Sequence, residues 1–149
     1  LTGLGGDFRV YFNPLLTSIS NPISSQIFSV YHAYSCNITG TLDVSTLTGL
    51  GGDFRVYFNP LLTAITLPTI NRQFTTFNAG SCALNLATVD NVLAKLNTWF
   101  SAHTPTANLT VTLNGGTNSS PTGGSSNTDY VNLQSIFASA GRTLFIFIN

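Results

Sequence analysis

Residues 1–17, LTGLGGDFRVYFNPLLT, return without a change at 47–63. The same 46-residue offset aligns Ile19 with Ile65, Pro22 with Pro68, Phe28 with Phe74, Ala33 with Ala79, and Ser35-Cys36 with Ser81-Cys82. A chain that repeats at a fixed period has few folds open to it, because every copy must bury the same face against its neighbour. A solenoid or a propeller is the expected answer.

The period halves. Phe8-x-Val10-x-x-Asn13-x-Leu15 becomes Tyr31-x-Ala33-x-x-Cys36-x-Ile38, then Phe54-x-Val56-x-x-Asn59-x-Leu61, then Phe77-x-Ala79-x-x-Cys82-x-Leu84, each 23 residues on. The pattern L-x-L-x-x-N/C-x-L resembles the leucine-rich repeat, whose units run about 20–29 residues and which uses Asn or Cys at that one position. The resemblance extends over nearly the whole chain. It implies a parallel sheet of about six short strands near 8–13, 31–36, 54–59, 77–82, 109–114 and 144–149. Irregular turns are expected opposite, although the run CNITGTLDVS (36–45) is similar to the receptor L domain, a relative with strands on more than one face.

Residues 1–84 carry the regular repeats and 85–149 a different type. Leu109-x-Val111-x-x-Asn114 and Leu144-x-Ile146-x-x-Asn149 keep the signature at spacings of 32 and 35 residues. The added length predicts helices near 89–101 and 129–140. Thr88 can cap the first, whose apolar face is Val89, Val92, Leu93, Leu96 and Phe100. Thr128 can cap the second, with Leu133, Ile136, Phe137 and Ala140 inward and Gly141 ending it. Residues 113–129 are polar and Gly-rich and predict a surface loop. The last part resembles the helix-containing terminal repeats of leucine-rich-repeat-like proteins on bacterial cell surfaces. One α/β solenoid domain is the expected whole.

In such a coil Phe8 and Val10 point inward and Arg9 and Tyr11 outward. The Asn that follows can bond backbone groups left unpaired by the bend, and a thiol can fill the same space with weaker bonds. Asn13, Cys36, Asn59, Cys82, Asn114 and Asn149 should therefore form one ladder. Its two cysteines would sit two strands apart, roughly 10 Å, beyond the reach of a disulfide. Buried free thiols are expected.

The outward pairs are Arg9/Tyr11, His32/Tyr34, Arg55/Tyr57, Asn78/Gly80, Thr110/Thr112 and Phe145/Phe147. Tyr and Arg give a binding surface rigid area with a hydrogen-bonding tip, and in leucine-rich-repeat relatives this face is the usual ligand platform. Stacked aromatics with Arg riding on them also stabilise a sheet, and the two roles are compatible. Asp7 and Asp53 follow GLGG, which could suggest calcium. Two Asp two strands apart cannot share an ion, so a turn or a pair with Arg9 and Arg55 is expected, with no metal and no cofactor.

Five Asp, no Glu and five Lys plus Arg leave the net charge at zero, with only 7% of residues charged. No basic footprint for nucleic acid exists, and no apolar run approaches the ~18 residues of a membrane span. His32 and His103 lack a catalytic signature around them, so no enzyme is expected. Asn37, Asn108 and Asn118 match the glycosylation triplet, and Asn118, in the polar loop, is the one placed to accept a sugar.

The composition, rich in Thr, Ser and Asn, points to an extracellular, cell-surface or virion-surface location. The first residues fall inside a repeat, so upstream domains of a longer chain are expected. The final LFIFIN is apolar on both faces and leaves an open edge, so Phe145 and Phe147 are candidate assembly contacts. The expected function is recognition or adhesion, binding protein or glycan on another surface through the Tyr/Arg column. The alternative is an architectural subunit of a filament, fibre or virion decoration that self-associates.

Overall fold

A computed structural model describes residues 6–21, 27–70 and 72–149. The Pro22 match and the first five residues of the copied run lie outside them. The chain runs β1 (Gly6–Arg9), β2 (Ile27–His32), β3 (Thr39–Asp43), β4 (Gly49–Arg55), β5 (Leu61–Thr66), β6 (Phe74–Asn78), α1 (Leu86–Ala102), β7 (Leu109–Thr112), α2 (Thr128–Ser139) and β8 (Leu144–Phe147). It is an α/β fold with a six-stranded parallel sheet in the order β1-β2-β4-β6-β7-β8 and both helices late in the chain. Where irregular turns were expected, β3 and β5 form a second parallel pair. Leu42, Leu62 and Ile65 turn inward from that pair and join the same core as the large sheet.

The strands alternate as the residue pattern requires. Tyr31, Ala33, Phe54, Val56, Phe77 and Ala79 are buried, and Phe8 and Val10 pack on them from β1. The inward rings stack in sequence: Phe8 on Tyr31 at 4.6 Å, Tyr31 on Phe54 at 5.4 Å, Phe54 on Phe77 at 4.9 Å. Burial pushes the Tyr31 hydroxyl well above the ordinary tyrosine range, and it donates to Asn21 Oδ1 at 3.0 Å.

β1, β2, β4 and β6 begin and end earlier than the repeat pattern suggested, and the early ends have a local cause. Phe12, Ser35, Phe58 and Ser81, the residues just before the Asn/Cys position, all have left-handed backbones with φ of 52–53°. An extended strand cannot pass through that conformation. Pairing nonetheless continues to the turn: Phe12 N donates to Tyr34 O, Ser35 N to Tyr57 O, Phe58 N to Gly80 O and Ser81 N to Asn114 O, at 3.0–3.2 Å.

Midway along β4 the register against β6 shifts between Gly52 and Asp53. Gly52 has φ +63°, and a Cβ there would lie 2.3 Å from Ser29 O. No other residue fits without moving a neighbouring backbone.

Past β6 the expected spacing is corrected. Thr76 pairs with Thr110 and Phe77 with Val111, a step of 34 residues rather than 32. Leu109, Val111 and Leu113 are all buried, so the apolar alternation looks the same in either frame. A slip of two residues moves no side chain to the wrong face.

The buried ladder leaves even this register: the 34-residue step sets Cys82 against Gly116, and two further residues pass before Asn118 turns inward. Asn59 is fully buried; its Nδ2 donates to Ala33 O and Val56 O at 2.8 Å, and its Oδ1 accepts from Ile38 N at 3.2 Å. Asn118 repeats the set, donating to Ala79 O and Leu113 O at 2.9 Å and accepting from Leu84 N at 2.8 Å. Asn114, expected in this place, is exposed. Asn118 is 5% exposed and held inside, which removes it as a surface glycosylation site. Asn149 continues beside it, accepting from Gly115 N and donating to Asn118 O.

Between the asparagines, Cys36 Sγ donates to Val10 O at 3.5 Å and Cys82 Sγ to Val56 O at 3.4 Å. The alternation has a physical cause. Ile38 and Leu84, whose N–H groups need the Asn carbonyl, are buried, whereas the equivalent Leu15 and Leu61 are 89% and 54% exposed. A thiol suffices where the neighbouring residue faces water. Asn13, on the outermost strand row, is exposed.

Both helices start on asparagine rather than on the expected threonines. Asn85 Oδ1 accepts from Thr88 N, and Asn127 Oδ1 from Asp129 N and Tyr130 N. Both asparagines are preceding residues whose short amides reach the free N–H groups of the first turn. Gly141, with φ +63°, ends α2 as Gly141 N bonds Ala138 O and Arg142 N bonds Phe137 O. Val89, Val92, Leu93, Leu96 and Phe100 are buried along α1, and Phe100 meets Phe137 of α2 edge-on at 4.7 Å.

Substituting Asn59→Cys or Asn118→Ala should each cost about 2–3 kcal/mol in urea unfolding, because a buried N–H loses its acceptor. Asn114→Ala should change stability by less than about 0.5 kcal/mol; a large loss there would show that the 34-residue register is wrong. Both cysteines are free and buried, and burial pushes the Cys82 thiol up to about 11. Iodoacetamide at pH 8 should therefore leave Cys82 unmodified in the native protein and label both cysteines in denaturant, read by mass spectrometry.

Candidate functional site

The outward face of β1, β2 and β4 gathers the six residues expected to bind. In-register parallel pairing sets Arg9 beside His32 and His32 beside Arg55. Two residues on, the same register stacks three phenols. Tyr11 lies on Tyr34 at 4.8 Å with planes 1° apart, and Tyr34 on Tyr57 at 4.5 Å with planes 8° apart. These separations match the ~4.8 Å between strands, so each ring stands directly over its own strand. Partial burial, and then the adjacent Tyr34 phenol, raise the Tyr57 hydroxyl above the usual tyrosine range.

The charges of this face are paired within it. Arg9 Nη2 lies 2.7 Å from Asp7 Oδ2, and Arg55 Nε 2.7 Å from Asp53 Oδ1. The Asp53 hydrogen bond holds the Arg55 guanidinium still more firmly in its charged form. His32 Nε2 approaches the other Asp53 oxygen at 3.1 Å, off the line of a hydrogen bond, so that this buried nitrogen has no aligned partner. Asp7 and Asp53 thus partner Arg9 and Arg55. Among the described residues no three His, Cys or acidic side chains gather as metal ligands.

The rest of the column differs from the expected order. Thr112 stands beside Asn78 rather than beside Gly80, and the Ser81 N–H bonds Asn114 O one position further on. Phe145 and Phe147 lie on β8 at the end of the sheet order, 52% and 48% exposed. α2 packs near β8 without covering them. His103 caps the end of α1, its ring stacked on Trp99 at 4.6 Å, far in the chain from the tyrosine row.

Two residues that the sequence reading passed over border the row. Phe12 and Phe58 are 71% and 56% exposed, although each sits in the left-handed conformation that costs a bulky residue about 1–2 kcal/mol. Phe12 meets Tyr11 at 5.7 Å and Tyr34 at 5.6 Å, nearly perpendicular to both; Phe58 meets Tyr57 at 5.3 Å. A signal was present: a large apolar residue at 12 and 58 alternates with Ser at 35 and 81.

Comparison of the chain with protein-family models, with curated proteins and with solved structures found no match. No helix among the described residues is long and apolar enough to cross a membrane.

Proposed function

We propose that this chain is a leucine-rich-repeat-like solenoid serving as a non-catalytic, surface-exposed recognition module. Support for the coil comes from the 23-residue recurrence of left-handed turns at Phe12, Ser35, Phe58 and Ser81. The Asn/Cys alternation at the next position supports it too. The observation that carries the function is the solvent-facing row of three parallel tyrosines flanked by paired Arg, Asp and His. Stacking alone would stabilise the sheet, but the polar tips and ion pairs along one accessible face suit a ligand of protein or glycan. Zero net charge, with the arginines of the face already paired, argues against nucleic acid. A Thr-, Ser- and Asn-rich surface suits an extracellular, cell-surface or virion setting.

A second reading rests on a separate observation. β8 is a terminal strand, and its two exposed phenylalanines suit contact with another subunit of a filament, fibre or virion decoration. Residues on an open apolar edge invite pairing.

Two double variants separate the readings. With labelled protein applied to intact cells and to arrays of extracellular proteins and glycans, Tyr34→Ala/Arg55→Ala should lower binding at least ~10-fold. Its sedimentation behaviour should not change. Phe145→Ser/Phe147→Ser should leave binding intact. If the phenylalanine variant instead dissolves a native assembly and the tyrosine variant binds as before, the architectural reading replaces recognition.

A further inference from the structure

We propose that Phe12 and Phe58 are the stacking platforms of this face and that its ligand is a neutral, linear glycan. The inference rests on the recognition reading above and names its ligand class. The backbone before each Asn/Cys position is left-handed four times, yet two of those residues are Ser35 and Ser81. The geometry therefore does not call for a phenylalanine. A β-carbon is strained there in any case, and a large apolar side chain gains no burial in return, since Phe12 and Phe58 keep 71% and 56% of their surface in solvent. A strained, exposed ring that the core does not use is a candidate for contact with something outside the chain.

The arrangement of the rings narrows what that is. Phe12 stands perpendicular to the stacked Tyr11 and Tyr34, and Phe58 is tilted 67° from Tyr57. Each phenylalanine is braced by tyrosine while most of its ring stays open. The two follow β1 and β4, strands that have β2 between them, so they recur about 10 Å apart. The turn residue between them is Ser35. This gives two separate ring platforms with a polar step in the middle, not the continuous apolar centre of a protein–protein contact. An aromatic face fits the aliphatic C–H face of a sugar ring, and two platforms fit two rings of one chain.

Charge gives the second, independent argument. Arg9 is neutralised by Asp7, and Arg55 by Asp53, which also faces His32. An acidic ligand would have to contend with the like charge of those carboxylates. Hydroxyl groups need not, because each can both donate and accept beside a guanidinium, a carboxylate, a phenol or the Ser35 hydroxyl.

The chain contains its own control for the test. Phe12→Ser/Phe58→Ser installs what positions 35 and 81 already hold, so the turn and the thermal unfolding midpoint should survive. The full chain, this variant and Tyr34→Ala/Arg55→Ala are applied to a printed array of neutral linear, neutral branched and acidic glycans, with extracellular proteins alongside. Wild-type protein should be retained on neutral linear glycans, and the double-serine variant should lose at least tenfold there with its unfolding unchanged. Undiminished glycan binding by that variant, or wild-type retention only on acidic glycans or only on proteins, overturns the glycan assignment. The recognition reading still stands in those cases if Tyr34→Ala/Arg55→Ala abolishes the binding seen. If no binding of any kind depends on Tyr34 and Arg55, both fall.

Discussion

A buried N–H must find an acceptor, and in this chain that requirement is concentrated at one recurring bend. As the backbone leaves the large sheet, its amides and carbonyls lose their strand partners while still inside the protein. Asn59 and Asn118 each satisfy three such groups, reaching across to the preceding segment as well as back to their own. Cys36 and Cys82 do less, because the residues beside them face water. Everything that gives the molecule its regular faces follows from these bends sitting in line.

With the bends aligned, the strands pair in register, and in-register pairing places like residues over like. That produces two aromatic stacks from one geometry. The inner stack, Phe8, Tyr31, Phe54 and Phe77, is buried except at its first ring and holds neighbouring segments together. The outer stack, Tyr11, Tyr34 and Tyr57, has the same spacing but faces solvent beside paired charges. One registration thus serves the core and the candidate ligand face at once. A change that shifts a bend would disturb both.

Parallel strands at one spacing, the inward Phe and Val positions and the late helices were legible in the sequence, because alternation and a strict period leave little choice about which side chains turn in. The Tyr/Arg face was legible for the same reason. The path of the C-terminal part was not. Leu109, Val111 and Leu113 alternate without interruption, so two frames bury the same kind of side chain. What selected the 34-residue step was pairing with β6, and two more residues after Gly116 bring Asn118 inward. The second sheet was only half visible, since Thr39–Asp43 and Leu61–Thr66 are short and their pairing depends on the bends before them.

By itself, then, the sequence determined which side chains of each repeat turn inward and which outward, because the same alternation of apolar and polar residues returns at a fixed period. Tertiary structure alone decided which asparagine goes inside, where the strands stop and which rings stay wet. Those outcomes depend on neighbours far along the chain. A buried amide chooses its place by the N–H that needs it, and Phe12 and Phe58 stand out only because the left-handed bend before each asparagine turns them away from the core.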